Sequence, residues 1–149
     1  MSTFKALRIS ASGLTAERLR MDTIANNLAN ANTTRSQDGG PYRRQVPVFA
    51  PLLDKSMHGN MQSPLGTGQK GSVGQGVQVV GVMSDPSPPR LVFDPDHPDA
   101  NEDGYVEMPN VHVVREMVDL ITATRSYEAN IAALNAAKSM AQKALEIGR

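Results

Sequence analysis

Glycine and proline are gathered almost wholly in the middle of this chain. Ten of its twelve Gly and nine of its ten Pro fall between Gly39 and Gly104, which leaves both ends nearly free of helix breakers. In a helix interior Gly costs about 1 kcal/mol and Pro about 3 kcal/mol relative to Ala. Long helices are therefore open only to the ends. The sequence predicts a mainly α chain, in which long N- and C-terminal helices pack as a coiled-coil-like pair and a small β-rich or irregular region lies between them. The expected terminal helical domain spans 1–34 and 110–149, and the central region 35–109.

Apolar spacing supports this division. Phe4, Ala11, Arg18 and Ala25 form one row of a seven-residue repeat, and Leu7, Leu14, Met21 and Leu28 form the row three residues on. These are the a and d positions of a helical seam, with Arg18 as its single polar intrusion. The second helix is expected from Asn110, as an N-cap after Pro109, to about Ile147. Its seam reads Val113, Met117, Leu120, Thr124, Tyr127, Ile131, Leu134, Lys138, Ala141 and Leu145, and a second apolar row runs through Val114, Val118, Ile121, Ala132 and Ala136. Two helices cannot enclose both rows, so further neighbours must come from the middle segment or from other chains.

The middle offers short strands at Gly76–Met83, Arg90–Phe93 and Tyr105–Met108, joined by Pro-rich turns, while 54–76 reads as a Gly-rich flexible loop. Only six residues are aromatic and none is Trp, which makes a thin core for 149 residues and again points to help from partners. Fifteen basic residues balance fifteen acidic ones, against nucleic-acid binding by bulk charge. The balance is global and not local. Residues 1–70 carry +5, 85–107 carry −6 and 108–149 carry +1, a separation that suits head-to-tail contact between copies. The absence of Cys removes thiol nucleophiles, thiolate metal sites and disulfides. No run of 18 apolar residues and no apolar h-region near the start are present, so neither membrane insertion nor a cleaved signal peptide is expected.

Three patterns invite chemistry. Gly66-Thr-Gly-Gln-Lys-Gly71 matches GxGxxG, but it lacks the preceding strand and following helix that a dinucleotide site requires, so no cofactor is expected. Asp99, Asn101 and Asp103, with Gly104 at the turn position, match the first half of a calcium loop; the twelfth position is Asn110 instead of Glu. That fragment supports a second functional class, a calcium-responsive adaptor using 99–104. His58, His97 and His112 have no ligand spacing, and no Ser lies in a triad-like pattern, so the chain is not expected to be an enzyme. Finally, Asn26, Asn27, Asn30 and Asn32 place four amides at the exit of the first helix, where Asn26 and Asn30 can bond along one edge and Asn32 can take the left-handed turn that ends it.

Those amides lie within a longer resemblance. Ile9-Ser-Ala-Ser-Gly-Leu14, Arg18 and Met21-Asp-Thr-Ile-Ala-Asn-Asn-Leu-Ala-Asn-Ala-Asn-Thr33 resemble the N-terminal pattern of bacterial flagellar rod and hook proteins. Gly40-Pro-Tyr-Arg-Arg44, Pro88–Pro98, Gly104–Val111, Glu116-Met117 and Arg125-Ser-Tyr-Glu-Ala-Asn130 are similar to the short, proximal-rod branch of that family, with Phe93 where Tyr is frequent. The likeness covers nearly the whole chain and weakens over 50–72. It implies a non-enzymatic subunit of the basal-body drive shaft around the export channel, located in the periplasmic rod and exported by the flagellar type III apparatus. The implied partners are other rod proteins and copies of the chain. Assembly contacts are expected at Leu7, Leu14, Arg18, Met21, Asn26, Asn27, Leu28, Asn30, Met117, Leu120, Arg125, Tyr127, Asn130, Ile131 and Leu134.

Overall fold

A computed structural model describes residues 2–36, 39–52 and 74–147. In chain order the elements are α1 (Ser2–Ala29), β1 (Gln45–Pro51), β2 (Val77–Ser84), β3 (Arg90–Phe93), β4 (Tyr105–Met108) and α2 (Val113–Ile147). At 1.5 Å per residue the helices are roughly 42 Å and 52 Å long. Two helices with two small antiparallel sheets between them is the fold. The GxGxxG segment and nearly all of the expected loop 54–76 lie outside the described residues.

The helices run antiparallel. Gly13 lies beside Asn130, Met21 Sδ accepts from Thr124 Oγ1 at 3.6 Å, and Asn27 meets Glu116, so contacts descend α2 as they climb α1. The seam is rotated from the expected one. Leu120, Tyr127, Leu134 and Ala141 do face inward, but their companions are Glu116, Ala123, Asn130 and Ala137; Met117, Thr124, Ile131, Lys138 and Leu145 are exposed. In α1 the row Phe4, Ala11, Arg18 and Ala25 is exposed, and Leu7, Leu14, Met21 and Leu28 are half-buried around Ala16, Thr23, Ile24, Asn27 and Ala31. Close approach explains the shift: Gly13, Ala123 and Ala137 let the two backbones come together between the larger Leu and Tyr side chains, and Met117 and Ile131 are left on the outside. The expected seam through Phe4, Arg18, Met117 and Ile131 is thus corrected to a contact in which Gly13, Ala123, Asn130 and Ala137 lie among Leu14, Met21, Leu120, Tyr127 and Leu134.

Ser and Thr are accommodated within α1 because their hydroxyls bond back to the helix: Ser12 Oγ to Ile9 O at 2.7 Å, Thr15 Oγ1 to Ala11 O at 3.1 Å and Thr23 Oγ1 to Leu19 O at 2.8 Å. The helix ends without a left-handed residue at Asn32, since every positive φ among the described residues belongs to Gly. Asn30 closes it instead, its Nδ2 donating to Asn26 O at 2.9 Å and to Asn26 Oδ1 at 3.0 Å. At α2 the expected cap is also corrected. Asn110 lies before the helix and bonds elsewhere, and the first turn is closed by Glu116 N donating to His112 O at 3.0 Å.

β1 is the element that sequence reasoning missed. Pro47 and Pro51 argue against a strand, yet β1 pairs with β2 from Gln45↔Ser84 to Pro51↔Val77, with a bulge that leaves Val80 unpaired opposite Val48 and Phe49. In a two-stranded sheet each strand has an open edge, so a Pro that donates no bond is tolerated. This sheet rests on α1. At the contact Ser12 Oγ accepts from Val77 N at 3.1 Å, and a Cβ on Gly76, whose φ is +122°, would collide with that hydroxyl. β3 and β4 pair from Arg90↔Met108 to Phe93↔Tyr105, with the last two rings edge to face at 5.3 Å. Among the described residues this second hairpin packs on no other helix or strand.

Candidate functional site

The end of α1, the start of β1 and the start of α2 converge on one buried polar junction. Asn27, almost fully enclosed, accepts at Oδ1 from Gln45 N and from the Tyr42 hydroxyl, each at 2.8 Å, and donates from Nδ2 to Gln45 O at 2.8 Å. The side-chain amide therefore satisfies both backbone groups of Gln45, as a neighbouring strand would. A longer bond, 3.3 Å, joins the same Nδ2 to Glu116 Oε2 in α2.

Glu116 is wholly buried, and its charge is met by Arg44, whose Nε donates to Oε1 at 2.6 Å. The Arg44 guanidinium also faces Asp85 at 3.8 Å and Asp119 at 3.7 Å, so one cation stands among three carboxylates. Its main chain is fixed too. Arg44 N donates to Asn110 Oδ1 at 2.8 Å, Asp85 N donates to Arg44 O at 2.7 Å, and Asn110 Nδ2 reaches Ser87 O at 3.2 Å. Breaking a buried ion pair by removing one member costs about 3–5 kcal/mol, because the other charge stays behind. Burial, then the Glu116 charge, raises the Tyr42 hydroxyl above its ordinary pKa of 10.0. The Asp85 carboxyl is held below its ordinary value, chiefly by hydrogen bonds from Ser87 and then by Arg44 and Arg115.

Of the expected assembly residues, the structure brings Asn26, Asn27 and Asn30 to this junction. Leu14, Met21, Leu28, Leu120, Tyr127, Asn130 and Leu134 lie along the helix contact, with Leu7 half-buried near its end. Arg18, Met117, Arg125 and Ile131 stand on the outside. Arg44, Glu116, Tyr42, Asp85 and Asp119 were not singled out for any role. The available signal was Glu116 itself, a charge set four residues before Leu120 on the inward row.

The 99–104 loop holds itself together with the groups that a calcium ion would need. Asp99 accepts from Arg35 at 2.7 Å and from Thr34 at 2.8 Å, while Asn101 Oδ1 accepts from the backbone N–H groups of Asp103 and Tyr105. Among the described residues no group of three His, Cys, Asp or Glu side chains could hold a metal ion. The adaptor reading finds no support in this geometry.

Outside the junction, Val114, Met117, Val118 and Ile121 form an exposed apolar stripe along the first half of α2, with Val114 76% exposed. On a helix these positions lie within roughly one 100° face. An isolated subunit leaves that face in water.

The chain's two ends match models of flagellar rod proteins. Residues 7–36 match the family described as "Flagella basal body rod protein", and residues 102–147 match "Flagellar basal body rod FlgEFG protein C-terminal". The paired terminal helices and their junction thus define a protein of the flagellar rod class. Over its whole length the chain is 46% identical to the flagellar basal-body rod protein FlgC of Borreliella burgdorferi, covering 99% of this chain and 98% of the relative. The corresponding protein of Bacillus subtilis is 45% identical and that of Salmonella typhimurium 40%, each over 100% of both chains. The chain belongs to the FlgC family of flagellar basal-body rod proteins.

Proposed function

We propose that this chain is a structural subunit of the flagellar basal-body rod, a non-enzymatic part of the shaft that carries motor torque to the hook and filament around the export channel. Its terminal helical unit, 1–34 with 110–149, forms the assembly core, and 35–109 is carried by it. The observation that supports this reading most directly is the α2 stripe through Val114, Met117, Val118 and Ile121, which no element of the same chain covers among the described residues. Neighbouring rod proteins and further copies are the partners that would cover it. No helix of the described residues is long and apolar enough to cross a membrane. On this reading the chain reaches the periplasmic rod through the flagellar type III apparatus.

Val118→Asp tests the reading. In cells lacking the native gene, the wild-type chain restores swimming and is recovered in isolated basal bodies. The variant is expected in the export pathway but absent from basal bodies. Recovery of Val118→Asp in normal amounts removes the α2 face from the assembly surface, and absence of the wild-type chain from basal bodies overturns the rod assignment.

A further inference from the structure

The root of the β3–β4 hairpin and the start of α2 enclose a cavity of about 420 Å³. Its floor is the junction already described, Arg44 with Asp85 and Glu116, and its rim carries the exposed Arg90, His112 and Arg115. Arg44 is committed to three carboxylates, whereas Arg90 and Arg115 have no ion pair within 4 Å among the described residues. The rim is therefore a concave surface with two exposed guanidinium groups outside any close ion pair among the described residues, Arg115 acting on Asp85 only from beyond 4 Å. The other end of the same hairpin has the opposite character. Asp96, Glu102 and Asp103 are all exposed on the turn between β3 and β4, and among the described residues Asp99 alone of its carboxylates forms an ion pair, with Arg35.

We infer that the cationic rim at the hairpin root of one copy receives the acidic hairpin tip of a second copy. Root and tip are different surfaces of one chain, so the contact is heterologous and leaves an unused root and an unused tip at each step. Such contacts generate rings where the rotation closes and open helical polymers where it does not. Opposed charge of this kind sets register and excludes like-charged approaches, in which two tips or two rims would face each other. Because a guanidinium is planar and presents paired donors, Arg90 and Arg115 suit carboxylate partners better than lysines would. The inference rests on the rod-subunit reading, for which it supplies one copy-to-copy contact.

The lack of native Cys makes the contact directly testable. His112→Cys on the rim and Glu102→Cys at the tip leave Arg90, Arg115 and Asp103 in place, and basal bodies from cells expressing the double variant are treated with a short thiol cross-linker. A ladder of dimers, trimers and higher species is expected from the double variant, and none from either single variant. A chain recovered in basal bodies that stays monomeric, or cross-links only to a different protein, overturns the inference while leaving the rod reading intact; a chain not recovered in basal bodies from wild-type cells is a failure of the rod reading itself. Charge reversal gives an independent measure. Arg115→Glu and Asp103→Lys are each expected to lower incorporation about tenfold, the double reversal to restore it, and both exposed substitutions to leave the far-ultraviolet circular dichroism unchanged. Loss in both singles without recovery in the double variant also overturns the contact.

Discussion

Gly13 of α1 lies so near Asn130 of α2 that a Cβ placed on it would meet Asn130 Nδ2 at 3.1 Å. The helices approach this closely because one side offers no side chain and the other offers an amide that lies flat against it. Gly13→Leu is expected to cost about 1–3 kcal/mol through overpacking, and Asn130→Ala in the same chain to recover part of that loss. Urea unfolding of the single and double variants measures both. Equal loss in the presence and absence of Asn130 would mean that the clash lies elsewhere.

Arg44 and Glu116 give a contrast between breaking a buried pair and replacing it. Arg44→Met leaves Glu116 buried beside Asn27 without its cation, and a loss of about 3–5 kcal/mol is expected. Arg44→Met with Glu116→Leu removes both charges and should lose far less. The unfolding midpoints in urea rank the three proteins.

Tyr42 predicts a direction on the alkaline side. Its folded-state pKa is raised above 10.0, so the neutral form is the one favoured by folding. That contribution is fully present below the unfolded value and is lost as pH rises through the folded one. Stability should therefore fall above about pH 10, and Tyr42→Phe should flatten the fall while lowering stability at neutral pH, since it gives up the 2.8 Å bond to Asn27. Urea midpoints between neutral pH and pH 11 supply the test.

Leu134 and Lys138 separate the helix contact from the outer face. Leu134 lies on the inward row and Lys138 is exposed. A buried Leu reduced to Ala costs about 2–5 kcal/mol, and a carboxylate in its place adds desolvation. Leu134→Asp is expected to abolish rod incorporation, and Lys138→Asp to be milder. Normal swimming with Leu134→Asp, together with a defect from Lys138→Asp, would show that Leu134 does not lie on the assembly-critical row of α2.

The segment 57–72 is expected to be dispensable for assembly. The flanking chain already closes on itself, with Leu52 N donating to Gly76 O at 2.8 Å and Gln75 N to Leu52 O at 2.9 Å. After deletion, six residues, 53–56 with 73 and 74, remain between Leu52 and Gln75, within the roughly four to six residues that are the median connection in compact domains. Basal bodies from deletion cells should contain normal amounts of the shortened chain. Export of a stable product that never enters the rod would make the segment a contact element.

The sequence made both helices legible within three residues at each end, and three of the four strands, because breaker placement and apolar spacing report directly on local structure. The helix contact was harder to read. Seven-residue spacing identified the row through Leu120, Tyr127 and Leu134, but it favoured Met117 and Ile131 over Glu116 and Asn130, since it counts apolar size and cannot register how near two backbones come. β1 was hidden by Pro47 and Pro51, whose effect depends on whether a strand has a free edge. The polar junction was half visible. Four clustered Asn residues marked its α1 side, whereas Arg44 and Glu116 are separated by 72 residues and only the tertiary fold joins them.

The pairing of Asn27 with Gln45 has a mechanical consequence. Both bonds, each 2.8 Å, run from one planar amide to the two polar groups of a single strand residue, and so lie across the direction of β1. Force along β1 must strain the two together, while force that lifts the strand away can open them in turn. The joint between the helix pair and the outer chain is consequently stiff to sliding and softer to peeling. A subunit held at this point passes a tangential load from its periphery to its helices before it yields to an outward pull.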